Sequence, residues 1–268
     1  MKKIFIFIIS FLLFSACKNE TSKISKISES NSNIVPFPFS NANLKTYPVN
    51  EENIPLLNYN GKNELYPITY TQAAKYLYHN YYITKNESIK SQFLNIADFI
   101  KKQMVYIDDF DVLQYNFHVK DYNYKLPATS SMSQGFALGV MAQAYSLTGD
   151  QSYIEVAEKI LNSYGKTIDE GGILNYWDEL PIYEEYVDPK SHVLNGFIFS
   201  LSGLYYYYKT MGSEKAKKYF DEGVETLVKK LPEYDATFTS YYSKTINSDN
   251  VNVFASAINN DPDHFTNL

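Results

Sequence analysis

The chain is 268 residues long, is 45% hydrophobic and carries a formal charge of −6. That length admits one domain or two small ones, and the apolar share suffices for a sizeable core. The acidic balance excludes the basic footprint of a nucleic-acid binder and disfavours long-range capture of a heavily sulfated polymer. Aromatic residues reach 16%, with 26 Tyr and 17 Phe against one Trp. Phenols bury as flat apolar bodies with one polar tip, so this load serves packing between helices and stacking on sugar rings alike. The histidines at 79, 118, 192 and 264 stand too far apart for metal-ligand spacing, so no metal-ligand set is visible and metal use stays open; no cofactor is expected.

Lys2 and Lys3 precede an apolar run from Ile4 to Phe14, followed by Ser15, Ala16 and Cys17. A basic start, a short apolar stretch and a small residue at the cut site describe an export signal, and the stretch is too short to span a bilayer as a mature helix. Cys17 is the single cysteine of the chain and has no disulfide partner. From Lys18 to about Asn43 the composition turns to Ser, Asn and Lys, which reads as a flexible tether.

Beyond the tether the sequence repeats. Short breaks at Thr84-Lys85-Asn86, Thr148-Gly149-Asp150 and Thr210-Met211-Gly212-Ser213 recur every 62 to 64 residues or so, each flanked by helix-like patterns. The first hairpin runs from about Thr69 to Met104, the second from Ser131 to Tyr164 and the third from Val193 to Leu231. Leading helices are apolar nearly all round and trailing ones are amphipathic, so inner and outer helices alternate. The expected fold is all-α: tandem αα-hairpins forming an incomplete (α/α) toroid, with the domain cut short where a fourth inner helix would begin. The connections Val105–Ser130 and Gly165–His192 read as long loops rich in Tyr, Asp and Glu that gather at one end, where a site is expected.

Two resemblances add to this. Leu13-Phe14-Ser15-Ala16-Cys17 resembles the lipobox of bacterial lipoproteins, which implies cleavage before Cys17 and lipidation of its sulfur. The expected organisation is then a signal peptide at 1–16, a tether at 17–44 and a folded domain at 45–268, held on a membrane of the cell envelope. Ser131 to Leu138, Tyr183-Glu184-Glu185-Tyr186, Val193 to Tyr205, Leu231 to Asp235 with Tyr241-Tyr242, and Tyr66 to Gln72 together resemble the C-terminal domain of D-glucuronyl C5-epimerases. The resemblance spans about Tyr47 to the end and implies an α/α toroid. It also implies inversion of C5 in a glucuronic acid unit of a polysaccharide. Homodimer formation stays open.

Inverting C5 removes a proton next to a carboxylate, so a site needs a base on one ring face, an acid on the other and neutralisation of the carboxylate. By the resemblance Glu185 is the acid/base, Tyr186 lines the site, Tyr242 is the partner acid/base and Asn195 lies near the substrate. From the residues alone, Glu184 and Glu185 read equally as a solvated pair and Tyr242 as a packing aromatic. Gln72 and Gln134 are candidate substrate-binding residues, and Thr69-x-x-Gln72 and Ser131-x-x-Gln134 also read as capping boxes. Thr245 stands where the family has an Arg, with Lys244 beside it as the candidate cation, and Asp263 or Phe265 stands where the family has a further Tyr. A lyase acting on uronate glycans and a non-catalytic glycan-binding lipoprotein are the competing expectations. Labelling with a radioactive fatty acid is expected to mark the wild-type chain and to leave Cys17→Ala unlabelled; label retained on the variant rules out this anchor.

Overall fold

The computed structural model describes residues 47–235 and 240–244. Cys17, Thr245, Asp263 and Phe265 lie outside the described residues, as do the whole signal peptide and tether. A β-hairpin of β1 (Leu57–Tyr59) and β2 (Lys62–Glu64) comes first, turning on Asn60 and Gly61, both at positive φ. The helical pairs follow. The inner helices are α1 (Pro67–Thr84), α3 (Ser131–Thr148) and α5 (Leu194–Met211), and the outer ones are α2 (Glu87–Gln103), α4 (Ser152–Asn162) and α6 (Glu214–Lys230). Helix α3 packs against both α1 and α5, and each inner helix packs on the outer helix that follows it.

Local chemistry fixes the bends. Each inner helix stops on a left-handed residue, Lys85, Gly149 or Gly212, whose N–H returns to the carbonyl four residues back. The outer helices α2 and α6 then start on polar caps: Asn86 accepts from the Ser88 N–H and Ser213 from the Ala216 N–H. The inner helices have no side-chain cap at all. Instead the Ser131 N–H donates to the Glu184 carbonyl at 2.9 Å and the Leu194 N–H to the Tyr242 carbonyl at 2.9 Å. The first amide of each of these two helices is thus satisfied by the segment that follows its own hairpin.

The all-α expectation is overturned. The long connections are not structureless: the described residues hold three small antiparallel sheets. In one, β3 (Met104–Ile107) pairs with β4 (Phe110–Tyr115), which also pairs with β5 (Ala128–Thr129). In another, β6 (Leu174–Trp177) pairs with β7 (Leu180–Tyr183) through a two-residue turn of Asp178 and Glu179, both at positive φ. That turn geometry matches the twist of the strands, but Asp-Glu lacks the Gly that usually announces it. The helical repeat itself stands where the sequence periodicity put it.

The capping-box reading also fails. Helix α1 begins at Pro67, before Thr69, and Ser131 is the first residue of α3 with its hydroxyl on the Tyr183 carbonyl at 3.0 Å. Gln134 is fully buried as a structural tie: its Oε1 accepts from the Leu113 N–H, and its Nε2 donates to the Asp111 carbonyl and Ser163 Oγ.

Helices α3 and α5 approach backbone to backbone at Gly135 and Gly203. A Cβ on Gly203 would lie 2.3 Å from the Gly135 carbonyl oxygen, and neither backbone has room to yield. Gly203→Ala is expected to lower stability by about 2 kcal/mol, despite alanine's better helix propensity, in urea unfolding followed by circular dichroism.

Candidate functional site

Strand β7 ends at Tyr183 and delivers Glu184, Glu185 and Tyr186 into the interior beside the first turn of α5. The sequence reading left open that the two glutamates form a solvated pair; both are buried, with Glu184 at 0% and Glu185 at 3% exposure. They differ in satisfaction. Glu184 accepts from Asn175 Nδ2 at 2.8 Å, Ser191 Oγ at 2.9 Å and the His192 N–H at 3.1 Å, and lies 2.6 Å from His192 Nδ1. Glu185 Oε2 has no hydrogen-bond partner among the described residues.

The Glu185 carboxyl lies directly over Gly196 in the first turn of α5: a Cβ there would sit 2.2 Å from Oε2. Any side chain at 196 would therefore displace the acid. Burial pushes the Glu185 pKa up to about 7. Hydrogen bonds from the Tyr186 and Tyr242 phenols and the Gly196 N–H pull against that rise, and the Glu184 charge adds to it.

Phenols surround this acid from several elements. Tyr66 comes from the residue before α1, Tyr115 from β4, Tyr122 and Tyr124 from the loop after β4, Tyr186 from the segment after β7, and Tyr242 from the strap after α6. Tyr186 stacks on Tyr122 with centroids 4.1 Å apart and lies parallel to Tyr124 at 6.2 Å. Tyr66 meets Tyr115 edge-on at 5.1 Å. Burial, and next the Glu185 charge, hold the Tyr186 and Tyr242 hydroxyls well above the ordinary phenol range. Tyr66 is raised in the same way; Tyr115 and Tyr122 are raised chiefly by burial. These phenols therefore keep their protons at neutral pH and are donors.

Buried polar atoms without a partner among the described residues converge here: Glu185 Oε2, Asn195 Oδ1, Ser243 Oγ and the hydroxyls of Tyr66, Tyr115 and Tyr122. Leaving such atoms unpaired costs about 1–3 kcal/mol each, an outlay that a polyhydroxylated ligand would offset.

Of the residues singled out in the sequence, the structure brings Glu185, Tyr186, Tyr242 and Asn195 together, Asn195 being held on the Tyr242 phenol. Gln72 is half-buried in the second turn of α1. Gln134 belongs to the β4–α3 junction described above. The Lys244 ammonium is engaged by Glu233, donating to its carbonyl at 3.1 Å. Tyr66, Tyr115, Tyr122, Ser243 and Gly196 were missed. Tyr66 had a usable signal, since it precedes the first inner helix as Val193 precedes the third. The others depend on the hairpins. A cleft of about 430 Å³ lined by Glu52, Asn95, Asp98 and Lys101 holds none of these residues. Among the described residues no cluster of His, Cys, Asp and Glu could hold a metal ion, and no helix is long and apolar enough to cross a membrane.

Alternating inner and outer helices, with the acid and phenols on the segments that connect them, define an α/α helical-hairpin fold. Cellobiose 2-epimerase from Bacillus thermoamylovorans has a similar fold, with a TM-score of 0.52, 18% identity, and coverage of 77% of this chain and 56% of that one. The chain belongs to the family described as D-glucuronyl C5-epimerase C-terminus, which matches residues 108–257. It is 32% identical over 126 residues to the D-glucuronyl C5-epimerase of Caenorhabditis elegans, covering 42% of this chain and 20% of that protein. It is 29% identical over 184 residues to an uncharacterized protein of Methanocaldococcus jannaschii, covering 64% of this chain and 56% of that protein. The chain thus spans about half or less of the length of these relatives.

The raised pKa of Glu185 has a thermodynamic consequence. Folded, the group holds its proton up to about pH 7; its ordinary value is 4.5. Between these the folded state binds a proton that the unfolded chain has released, so its stabilising share is complete at low pH and is lost as pH rises through 7. Glu185→Gln is expected to match wild type near pH ~4 and to exceed it by on the order of 3 kcal/mol near pH ~8, in urea unfolding at both pH values.

Proposed function

We propose that this chain is a carbohydrate epimerase that inverts C5 of a uronate unit within a polysaccharide. The observation that carries the reading is Glu185: a buried carboxyl poised near neutrality, with an unpartnered oxygen, enclosed by phenols that hold their protons. Such a group is half-ionised at neutral pH, as a general base should be. The Glu185 carboxylate takes the C5 proton; the C–H electron pair moves into the adjoining C6 carboxylate. A phenol O–H on the other ring face then delivers its proton to C5; Glu185 releases the proton it took and the phenolate takes one up, through solvent, so that both groups return to their starting states, the reaction is redox-neutral and no bond to a leaving group breaks. Tyr242 fits that donor role, with Tyr186 beside it. The hydroxyls of Tyr66, Tyr115 and Tyr122 are donors suited to the charge that builds on C6. Asn195 orients Tyr242.

Family membership supports this reading, and so does the crowding of unpaired polar atoms around one acid. We further propose that the exported chain is tethered to the cell envelope through lipid on Cys17, in reach of surface or imported glycan; the lipobox-like sequence supports this.

Incubation of the protein with heparosan in deuterated water is expected to place deuterium at C5, with a rate rising through about pH 7 as Glu185 ionises. Glu185→Gln is expected to lower the rate by about a thousandfold or more. Appearance of an unsaturated uronate would redirect the reading to a lyase, and binding without exchange on any uronate polymer would redirect it to a glycan-binding protein.

A further inference from the structure

We infer that Glu184, held by Asn175, Ser191 and His192, is the positioning residue of the site: it fixes Glu185 and Tyr186 against Tyr242 and the start of α5. The inference rests on the reading of Glu185 as the proton-transferring group. Two adjacent acids are treated in opposite ways. Glu185 keeps an oxygen unpartnered, whereas Glu184, with no exposure, engages both of its oxygens with protein groups. No lone pair is kept for a substrate, so Glu184 acts through its neighbours.

Its contacts join three pieces of chain. Asn175 belongs to β6; Ser191 and His192 close the far end of the segment that Glu184 opens, with His192 eight positions on. Within that segment, Asp188 Oδ2 accepts from the Asn123 N–H at 2.9 Å and so holds the loop that carries Tyr122 and Tyr124. Beyond it, the Lys244 N–H donates to the Ser191 carbonyl at 2.8 Å and the Leu194 N–H to the Tyr242 carbonyl at 2.9 Å. Placing residues 191–194 therefore places Tyr242.

His192 is where the geometry is forced. Its φ is +42°, in the left-handed region, one residue before the cap of α5. Four contacts hold it there: its N–H on Glu184, its carbonyl accepting from the Tyr234 hydroxyl at 2.6 Å, its ring stacked on the Trp177 indole at 4.5 Å, and its Nδ1 on Glu184. Glu184 supplies two of them. Without its acceptor pair the turn into α5 is free to relax, and with it Gly196 beneath Glu185.

The Glu184 charge also faces Glu185 and adds to its proton affinity. The other titratable groups around Glu185 are Tyr66, Tyr115, Tyr122, Tyr186 and Tyr242. The test is Glu184→Gln, which keeps the size but puts an NH2 group where Ser191 and His192 need an acceptor. In protein labelled with 13C at the Glu carboxyls, the Glu185 resonance is assigned by its disappearance in Glu185→Gln. We expect its titration midpoint to fall by about one pH unit in Glu184→Gln. In the C5 exchange assay kcat is expected to fall about tenfold to a hundredfold, with KM within about threefold of wild type. A purely structural role would lower the melting temperature and leave both the midpoint and kcat of the folded protein alone, which would overturn the inference. The titration needs no substrate, so it is decisive even if no exchange activity is found and the epimerase reading fails. If Glu184→Gln does not fold, Ser191→Ala and Asn175→Ala each remove one donor: a smaller displacement of the Glu185 midpoint supports the inference, and an unchanged midpoint in both overturns it.

Discussion

The architecture turns on the unpaired amides at the starts of the inner helices. A helix begins with N–H groups that have no intrahelical partner, and most helices satisfy them with a capping side chain. Helices α3 and α5 use none. Their first amides are met instead by the carbonyls of Glu184 and Tyr242, from segments far along the chain. The second and third hairpins are therefore each closed by the connection that follows them, and those connections carry the acid and the phenol. The contacts that end the helices and the contacts that build the site are the same ones.

This dependence explains how a carboxyl can sit under phenols at little cost in packing. The positive end of a helix favours negative charge, and Glu185 rests on the first turn of α5 with the Gly196 N–H on its carboxyl. That help is incomplete, since burial still drives the pKa to about 7. A carboxyl fully stabilised by donors would be too weak a base to take a proton from carbon. One left wholly unsupported would stay protonated. Glu185 lies between these limits because two phenols and one amide support it and one oxygen is left over.

The helical repeat was legible because its signals are local and redundant. Apolar periodicity, three breaks at one spacing and the left-handed stops at Lys85, Gly149 and Gly212 all point to the same hairpins. The β-hairpins were hidden for different reasons. Asn60-Gly61 is a strong turn signal that lay between strands too short to announce themselves, and Asp178-Glu179 forms the same kind of turn from residues that rarely adopt it. Of the site, Glu185, Tyr186, Asn195 and Tyr242 could be named through the family motifs. Gln134 was drawn in by its place at the start of the second inner helix and Lys244 by standing beside the family's Arg position; the structure bonds the Gln134 amide to β4 and Ser163 and the Lys244 ammonium to Glu233. Tyr115, Tyr122 and Ser243 could not be singled out among so many phenols and hydroxyls, because what distinguishes them is the unpaired state of a buried atom, and only folding reveals that.

The tyrosine excess now divides into two populations with different physics. Tyr164, Tyr183 and Tyr207 are buried with hydroxyls on Ser200, the Tyr219 carbonyl and Glu158, and they lock inner helices and hairpins to outer helices. Tyr66 and Tyr115 are buried and Tyr122 half-buried, with hydroxyl oxygens that find no hydrogen-bond partner among the described residues. A phenol used for packing needs its polar tip satisfied by the protein; one used for recognition needs it satisfied by something else. The same residue type thus builds the walls and lines the hollow, and only the direction of one O–H separates the roles. Composition alone could count these phenols but could not sort them; the fold sorts them, by showing which hydroxyls the protein itself satisfies.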